Sequence, residues 1–231
     1  MKLVTSPDPG YIHKVLVVAH EAGVLRDLEF ECLYPFVEDS PLWQSNPLGK
    51  VPYLHTDDGE VLYGGLVVCE YLDSLSTGRH LFPQDARRWR ALRQMSLGDG
   101  LFDAVVHMQL ESVRPREDWR IDVLKHDRHK IMAAFDQLER DARTFTSTDF
   151  HIGHVCIAGG ISYFVSPGPP PRMDPRPNRI VMCQLESGDE TYDWRVGHPA
   201  LSEWYDEITK RPSMNSLAAH EAIGAVDRPA T

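Results

Sequence analysis

The chain has 231 residues, 42% of them hydrophobic, and a formal net charge of −10 at pH 7. That length allows one large domain or two smaller ones, each with a real core. The charge argues against nucleic acid and anionic membranes as partners, and no apolar run approaches the roughly 18 residues of a membrane span. The four cysteines have no Cys-x-x-Cys spacing, which favours buried thiols in a reducing compartment and a cytoplasmic protein.

The first 80 residues alternate between strand and helix patterns. Turn residues separate these patterns, and Asp57-Asp58-Gly59 between two short apolar runs is typical of a hairpin. The predicted order is therefore β-α-β-α-β-β-α. Strand patterns fall at 2–5, 28–34, 52–55 and 61–63, and helical patterns at 11–23, 42–46 and 65–75.

Beyond residue 84 the main patterns are helical, at 84–111, 119–143, 154–164 and 200–209. A Pro-rich stretch interrupts them at about 165–193, because repeated prolines exclude helix and central strand. We predict an α/β domain over 1–78 and an all-helical domain over 84–231 that contains this irregular insertion.

The stretch NPLGKVPYLHTDDGEVLYGG, residues 46–65, suggests a binding site. If the bond before Pro52 is cis, the backbone of Val51 turns outward and can pair with an extended peptide, as a strand edge does. Gly64 and Gly65 precede a helix, whose free N–H groups attract a carboxylate. These features predict a short acidic peptide as the ligand.

The element order, the NPLGKVP motif, the CEYLD helix and the later GHPALSEWYDEITKRPS together resemble the cytosolic glutathione S-transferase superfamily. The resemblance implies an α/β thioredoxin-like N-terminal domain plus an all-α C-terminal domain, the GST fold. It also implies glutathione as the cofactor and a homodimer. It would place Val51 and cis-Pro52 against the cysteinyl backbone of glutathione and Lys50 near the glycyl carboxylate. Gly64 and Gly65 would replace the acidic residue and the serine that usually hold the γ-glutamyl end.

The first turn, Ser6 to Tyr11, departs from the family's pattern, since Pro9 stands where related chains have a serine that steadies the thiolate. The hydroxyls of Ser6 and Tyr11 are candidate catalytic replacements. His13 is expected to face solvent. A second departure is the sequence His151-Ile-Gly-His154, which replaces the usual capping box and predicts a poorly capped helix.

Four residues of the first long helix of the second domain are candidates for substrate binding: Asp99, Phe102, Asp103 and Met108. Apolar side chains there predict a hydrophobic small molecule as the substrate. The His151/His154 pair has no supporting Cys or carboxylate, so we predict no metal site.

Three functions remain open. The first is a glutathione transferase that forms a thioether with a hydrophobic electrophile. The second is a glutathione-dependent cis–trans isomerase of a conjugated alkene, in specialised-metabolite biosynthesis. The third is a non-catalytic GST-fold binding or regulatory protein, suggested by the hydroxyls lost at Pro9 and Gly65.

Overall fold

The computed structural model describes residues 1–6, 9–33, 40–112, 114–146, 148–165 and 193–215. Within them the chain forms four β-strands and seven α-helices. The strands are β1 (Lys2–Thr5), β2 (Glu29–Cys32), β3 (Tyr53–His55) and β4 (Val61–Tyr63). The helices are α1 (Pro9–Glu21), α2 (Leu42–Ser45), α3 (Gly65–Ser74), α4 (Arg88–Ser112), α5 (Ile121–Ala142), α6 (Ile152–Val165) and α7 (Pro199–Ile208). Up to α3, the order β-α-β-α-β-β-α is the predicted one.

The chain divides into two compact units. The first contains Met1–Ala86 and also the short 3-10 turn Pro212–Asn215, and the second lies between Arg87 and Lys210. The turn Pro212–Asn215 thus belongs to the α/β unit, although it falls within the range 84–231 predicted as helical. Residues 166–192, which make up almost all of the predicted Pro-rich insertion, lie outside the described residues.

The first unit is built on a four-stranded sheet of order β2-β1-β3-β4. β1 runs parallel to β2 and antiparallel to β3, and β3 runs antiparallel to β4. Leu3, Val4 and Leu54 of the two central strands are fully buried, as is the apolar face of α1. The predicted thioredoxin-like domain is thereby confirmed.

The segment that follows α3, up to Phe82, is anchored to the first unit by Asp73 near the end of that helix. Its buried carboxylate accepts the backbone N–H of Leu81 at 2.6 Å and that of Phe82 at 3.4 Å. Leu81 and Phe82 are themselves almost fully buried. Since a hydrogen bond to a charged group is stronger than a neutral one, these contacts hold the end of this segment in place.

In the second unit, α4 and α6 approach each other backbone to backbone at glycines. A Cβ on Gly98 would lie 2.5 Å from the backbone N of Ile157, and one on Gly153 would lie 2.7 Å from the carbonyl O of Ala91. A Cβ on Gly160 would lie 2.8 Å from the carbonyl O of Gly98. No side chain fits at these points, so glycine is what allows the two helices to pack so closely.

Side chains of a histidine and a glutamate accept N–H groups at the starts of two helices of this unit. α6 begins at Ile152, and the Nδ1 atom of His151 accepts the N–H of Gly153 at 3.2 Å. His151 is the residue expected to cap this helix poorly, and the strength of its cap stays a prediction. At α7, the Oε2 atom of Glu139 from α5 accepts the N–H of Leu201 at 2.8 Å. A carboxylate at a helix N-terminus also interacts favourably with the helix dipole.

Among the described helices, none combines the length and the apolar composition that a membrane span requires.

Candidate functional site

The strand register brings three separate segments to one edge of the sheet, the one at which β1 and β4 end and β3 begins. Ser6 follows β1, and because Val4 pairs with Tyr53, Val51 lies just beyond that pair at the same edge. Tyr53 also pairs with Tyr63, so the first residues after β4 lie beside Val51. From β1 across β3 to β4 is about 10 Å, since neighbouring strands are about 4.8 Å apart. An extended tripeptide has a length of about 10 Å.

Val51 presents its backbone at this edge and buries its side chain. The residue as a whole is 8% exposed and packs with Val4, Leu42 and Tyr53. The bond between Val51 and Pro52 is cis, as predicted. β3 begins only at Tyr53, and the backbone of Val51 makes no hydrogen bond with another described residue. Its N–H and C=O therefore take no part in the hydrogen bonds of the sheet.

The loop before Val51 is shaped by Asn46 and Trp43, which were not among the predicted site residues. The side chain of Asn46 is fully buried, donates to the carbonyl of Lys50 at 2.7 Å and accepts the N–H of Leu48 at 3.0 Å. The indole of Trp43 lies against Gly49, where an added Cβ would be 2.8 Å from its Cζ2 atom. Asn-Pro is a turn signal and could have pointed to Asn46. The Lys50 side chain remains exposed.

The start of α3 combines free backbone donors with a lysine. Gly64 has a φ of +85°, and no side chain caps the helix. A Cβ on Gly65 would lie 2.7 Å from the Cε atom of Lys14 and 3.4 Å from its Nζ atom. Lys14 of α1 therefore occupies the space that a serine side chain at position 65 would need. The sequence gives no signal for this contact, because the two residues are far apart in the chain.

The two predicted catalytic residues, Ser6 and Tyr11, lie near the end of β1 and near the start of α1. Ser6 is buried directly after the strand, and Tyr11 is half-buried in the first helical turn. The helix begins at Pro9 and not at Tyr11, and proline suits a first helical position because its missing N–H would be unpaired there anyway. Residues 7 and 8 lie outside the described residues. The catalytic roles of Ser6 and Tyr11 stay predictions.

His13 does not face solvent, so that prediction is wrong. Its side chain is 5% exposed and lies on the face of α1 that contacts Pro212–Asn215. Burial lowers the pKa of His13 to about 4, and a hydrogen bond with the backbone of Met214 offsets this only in part. The imidazole is therefore neutral near pH 7.

The predicted substrate-binding residues of α4 do not share one environment. Asp99 is half-buried and Asp103 is exposed, and these two lie with Phe102 on one side of the helix by their spacing. Phe102 is almost buried and packs on Tyr163 of α6, with ring centroids 4.5 Å apart. Met108 is fully buried in the core of the helical unit. Their contact with a substrate stays a prediction.

Together, a thioredoxin-like sheet with a cis-proline before its third strand and a separate all-helical unit define the GST fold. The family model "Glutathione S-transferase, N-terminal domain" matches residues 3–80. The chain is 31% identical over 176 residues to the Escherichia coli "Uncharacterized GST-like protein YibF", which covers 73% of this chain and 86% of that protein. The chain therefore belongs to the glutathione S-transferase family.

Solved structures agree with this family. A glutathione transferase family member from Pseudomonas fluorescens with bound glutathione is 33% identical, with a TM-score of 0.73 over 94% of this chain and 97% of that one. A glutathione S-transferase from Methylobacillus flagellatus with glutathione bound is 26% identical, with a TM-score of 0.75 over 93% and 97% of the two chains.

Proposed function

We propose that this chain is a glutathione-dependent transferase that joins the glutathione sulfur to a hydrophobic electrophile. The observation that carries the proposal is the sheet register, which gathers Ser6, Val51 and Gly65 at one edge over the length of a tripeptide. The Pseudomonas fluorescens and Methylobacillus flagellatus relatives, which were crystallised with glutathione, support the same ligand.

Each end of the ligand has a partner in this proposal. The N–H and C=O of Val51 pair with the cysteinyl residue. The N–H groups that open α3, together with the Lys14 ammonium, hold the α-carboxylate of the γ-glutamyl end. Lys50 is close enough in sequence to Val51 to meet the glycyl carboxylate. The sulfur then points back along the sheet edge toward Ser6 and the start of α1.

The chemistry needs the thiolate form of glutathione, since the thiolate is the nucleophile. A free thiol with a pKa of about 8.5 is only a few per cent ionised at pH 7. A hydroxyl donor from Ser6 or Tyr11 would stabilise the anion. The thiolate attacks the electrophilic carbon, the C–S bond forms, and the leaving group departs with the bonding electrons.

Calorimetry with glutathione, followed by mass spectrometry of products from a panel of apolar electrophiles, tests the function. Transfer predicts binding and a product that carries one glutathione in place of the leaving group. A product of unchanged mass but altered double-bond geometry would instead identify an isomerase. No binding or thermal stabilisation at several millimolar glutathione would overturn the proposal in favour of a non-catalytic protein.

Replacement of Lys14 by methionine should weaken glutathione binding roughly tenfold, because a charge-assisted hydrogen bond contributes about 1.5–3 kcal/mol. Methionine keeps most of the side-chain length and removes the ammonium, with its charge and its hydrogen-bond donors. Lys125→Met, at an exposed position of α5, is the matched control for net charge and should bind like the parent chain. If calorimetry gives the same glutathione dissociation constant for both variants, Lys14 does not contribute to binding.

We also infer a homodimer in which the outer surface of β4 and α3 is covered. The inner face of α3 is buried at Val68, Cys69 and Leu72. On the outer surface, Tyr63, Leu66 and Val67 are 37%, 40% and 48% exposed. Adjacent exposed apolar side chains of this size are typical of an interaction surface.

A charge at the centre of this surface should therefore separate the subunits. We expect Val67→Glu to shift the chain from dimer to monomer at micromolar concentration in size-exclusion chromatography with light scattering. Val196→Glu adds the same charge at a site that is 76% exposed in the other unit and should leave the mass unchanged. A parent chain that is already monomeric would contradict the inference.

A further inference from the structure

Residues 211–215, which we call the α1 clasp, lie against α1 at two points. Ser213 donates its hydroxyl to Oε1 of Glu21 at 2.5 Å, and Arg211 donates Nη2 to both oxygens of Glu21 at 3.2 and 3.3 Å. The backbone of Met214 is hydrogen-bonded to His13. Ser213 is fully buried and Met214 is 5% exposed.

These contacts are more than a surface ion pair. The side chains of Glu21 and Arg211 are only 18% and 30% exposed, and two donors share one carboxylate. Shielded, charge-assisted hydrogen bonds are stronger than the exposed pairs that contribute little to stability. The Glu21 carboxylate thus holds the α1 clasp through its hydrogen bonds with Arg211 and Ser213.

The two contact points are well separated along α1. Glu21 is its last residue, and His13 lies about 12 Å before it at 1.5 Å per residue. Two contacts that far apart restrain both the position of the helix along its axis and its rotation. A single contact at one end would restrain neither as well.

The rotation of α1 matters because neighbouring residues of that helix have different roles. His13 faces the clasp, whereas Lys14, about 100° further round the helix, reaches the start of α3. A rotation of α1 about its axis that separated His13 from residues 211–215 would also move the Lys14 ammonium away from Gly65.

We propose that the α1 clasp is a positioning element for the glutathione site: it fixes the rotation of α1 and so places Lys14 at the start of α3. The part of the proposal that concerns ligand affinity rests on the proposed function, and the part that concerns α1 does not.

The test compares Arg211→Glu with the exchanged pair Glu21→Arg/Arg211→Glu. The single variant places two carboxylates together and should release the clasp, and the exchange restores opposite charges. Arg195→Glu is the control, because it breaks an ion pair with Asp206 in the other unit. If Arg211→Glu does not fold, Ser213→Ala is used in its place, because it removes only one hydrogen bond to Glu21.

Hydrogen exchange without ligand gives the first readout. Amides 12–16 of α1 should exchange at least about tenfold faster in Arg211→Glu and return to the parent rate in the exchanged pair, because local opening follows the lost contacts. Unchanged exchange in Arg211→Glu would overturn the proposal, whether or not the chain binds glutathione.

Calorimetry gives the second readout. We expect Arg211→Glu to raise the dissociation constant for glutathione roughly five- to tenfold, the exchanged pair to restore it, and Arg195→Glu to leave it unchanged. Faster α1 exchange with an unchanged dissociation constant would show a clasp that only stabilises the fold, and this result would also overturn the proposal. A parent chain that binds no glutathione would refute the proposed function, and the exchange readout would then decide the role of the clasp in holding α1.

Discussion

Replacing Gly98 with alanine is expected to destabilise the helical unit by about 3 kcal/mol. The new Cβ would lie 2.5 Å from the backbone N of Ile157 and 2.6 Å from the carbonyl O of Cys156. Both atoms belong to the backbone of α6, so no flexible side chain can move aside. The helices must separate, and the cost of that separation exceeds the gain of about 1 kcal/mol that alanine brings over glycine in a helix.

Gly100→Ala is the matched control, in the same helix and with the same chemical change. Gly100 is exposed, and an added Cβ would meet nothing within 4 Å. Alanine should therefore stabilise α4 there by about 1 kcal/mol through helix propensity alone. Urea unfolding followed by circular dichroism measures both changes. Equal stability of the two variants would show that α4 and α6 are not in close contact at Gly98.

Acidification from pH 6.5 to pH 4 is expected to remove on the order of 3 kcal/mol of stability through His13 alone. The pKa of His13 is lowered to about 4 by burial in the folded chain, against 6.5 when unfolded. Between these values the unfolded chain binds a proton that the folded chain does not. This contribution is complete above pH 6.5 and is lost as the pH falls toward 4. The Nδ1 atom of His13 has no partner among the described residues, so a protonated ring would be costly there.

His13→Gln separates this effect from the titration of carboxylates. Glutamine keeps a hydrogen-bond donor for the backbone of Met214 and cannot titrate. The free energy of unfolding of the variant, measured at several pH values from 7 to 4, should fall less steeply than that of the parent. The difference between the two curves should approach 3 kcal/mol at about pH 4. Parallel curves would contradict the assignment of a buried neutral His13.

The element order of the first unit could be predicted because it depends on local signals. The alternation of apolar residues, the Asp57-Asp58-Gly59 turn and Gly65 at a helix start are all short-range patterns. The cis bond before Pro52 was also expected, although from the family's pattern and not from local chemistry. Boundaries were less accurate, since α1 begins at Pro9 and α6 at Ile152.

Contacts between distant residues could not be predicted in this way. His13 was expected to face solvent, but residues 212–215 cover it. The sequence near His13 holds no signal for a contact with residues about two hundred positions later. The cap of α7 comes from Glu139 on another helix, so the residues around Leu201 hold no signal for it. Lys14 reaches Gly65 only because the sheet places α1 and α3 side by side.

By itself, the sequence determined the element order of the first unit and, through the family resemblance, its thioredoxin-like class, while the roles of the predicted site residues stay predictions. Periodicity, turn residues and prolines act over a few neighbouring positions, and their information lies within each segment. Only the tertiary structure decided that Lys14 stands at the start of α3, that residues 211–215 hold α1, and that Gly98 lies against the backbone of α6. Those contacts depend on strand register and helix packing, which arise when segments far apart in the chain bury their apolar faces together.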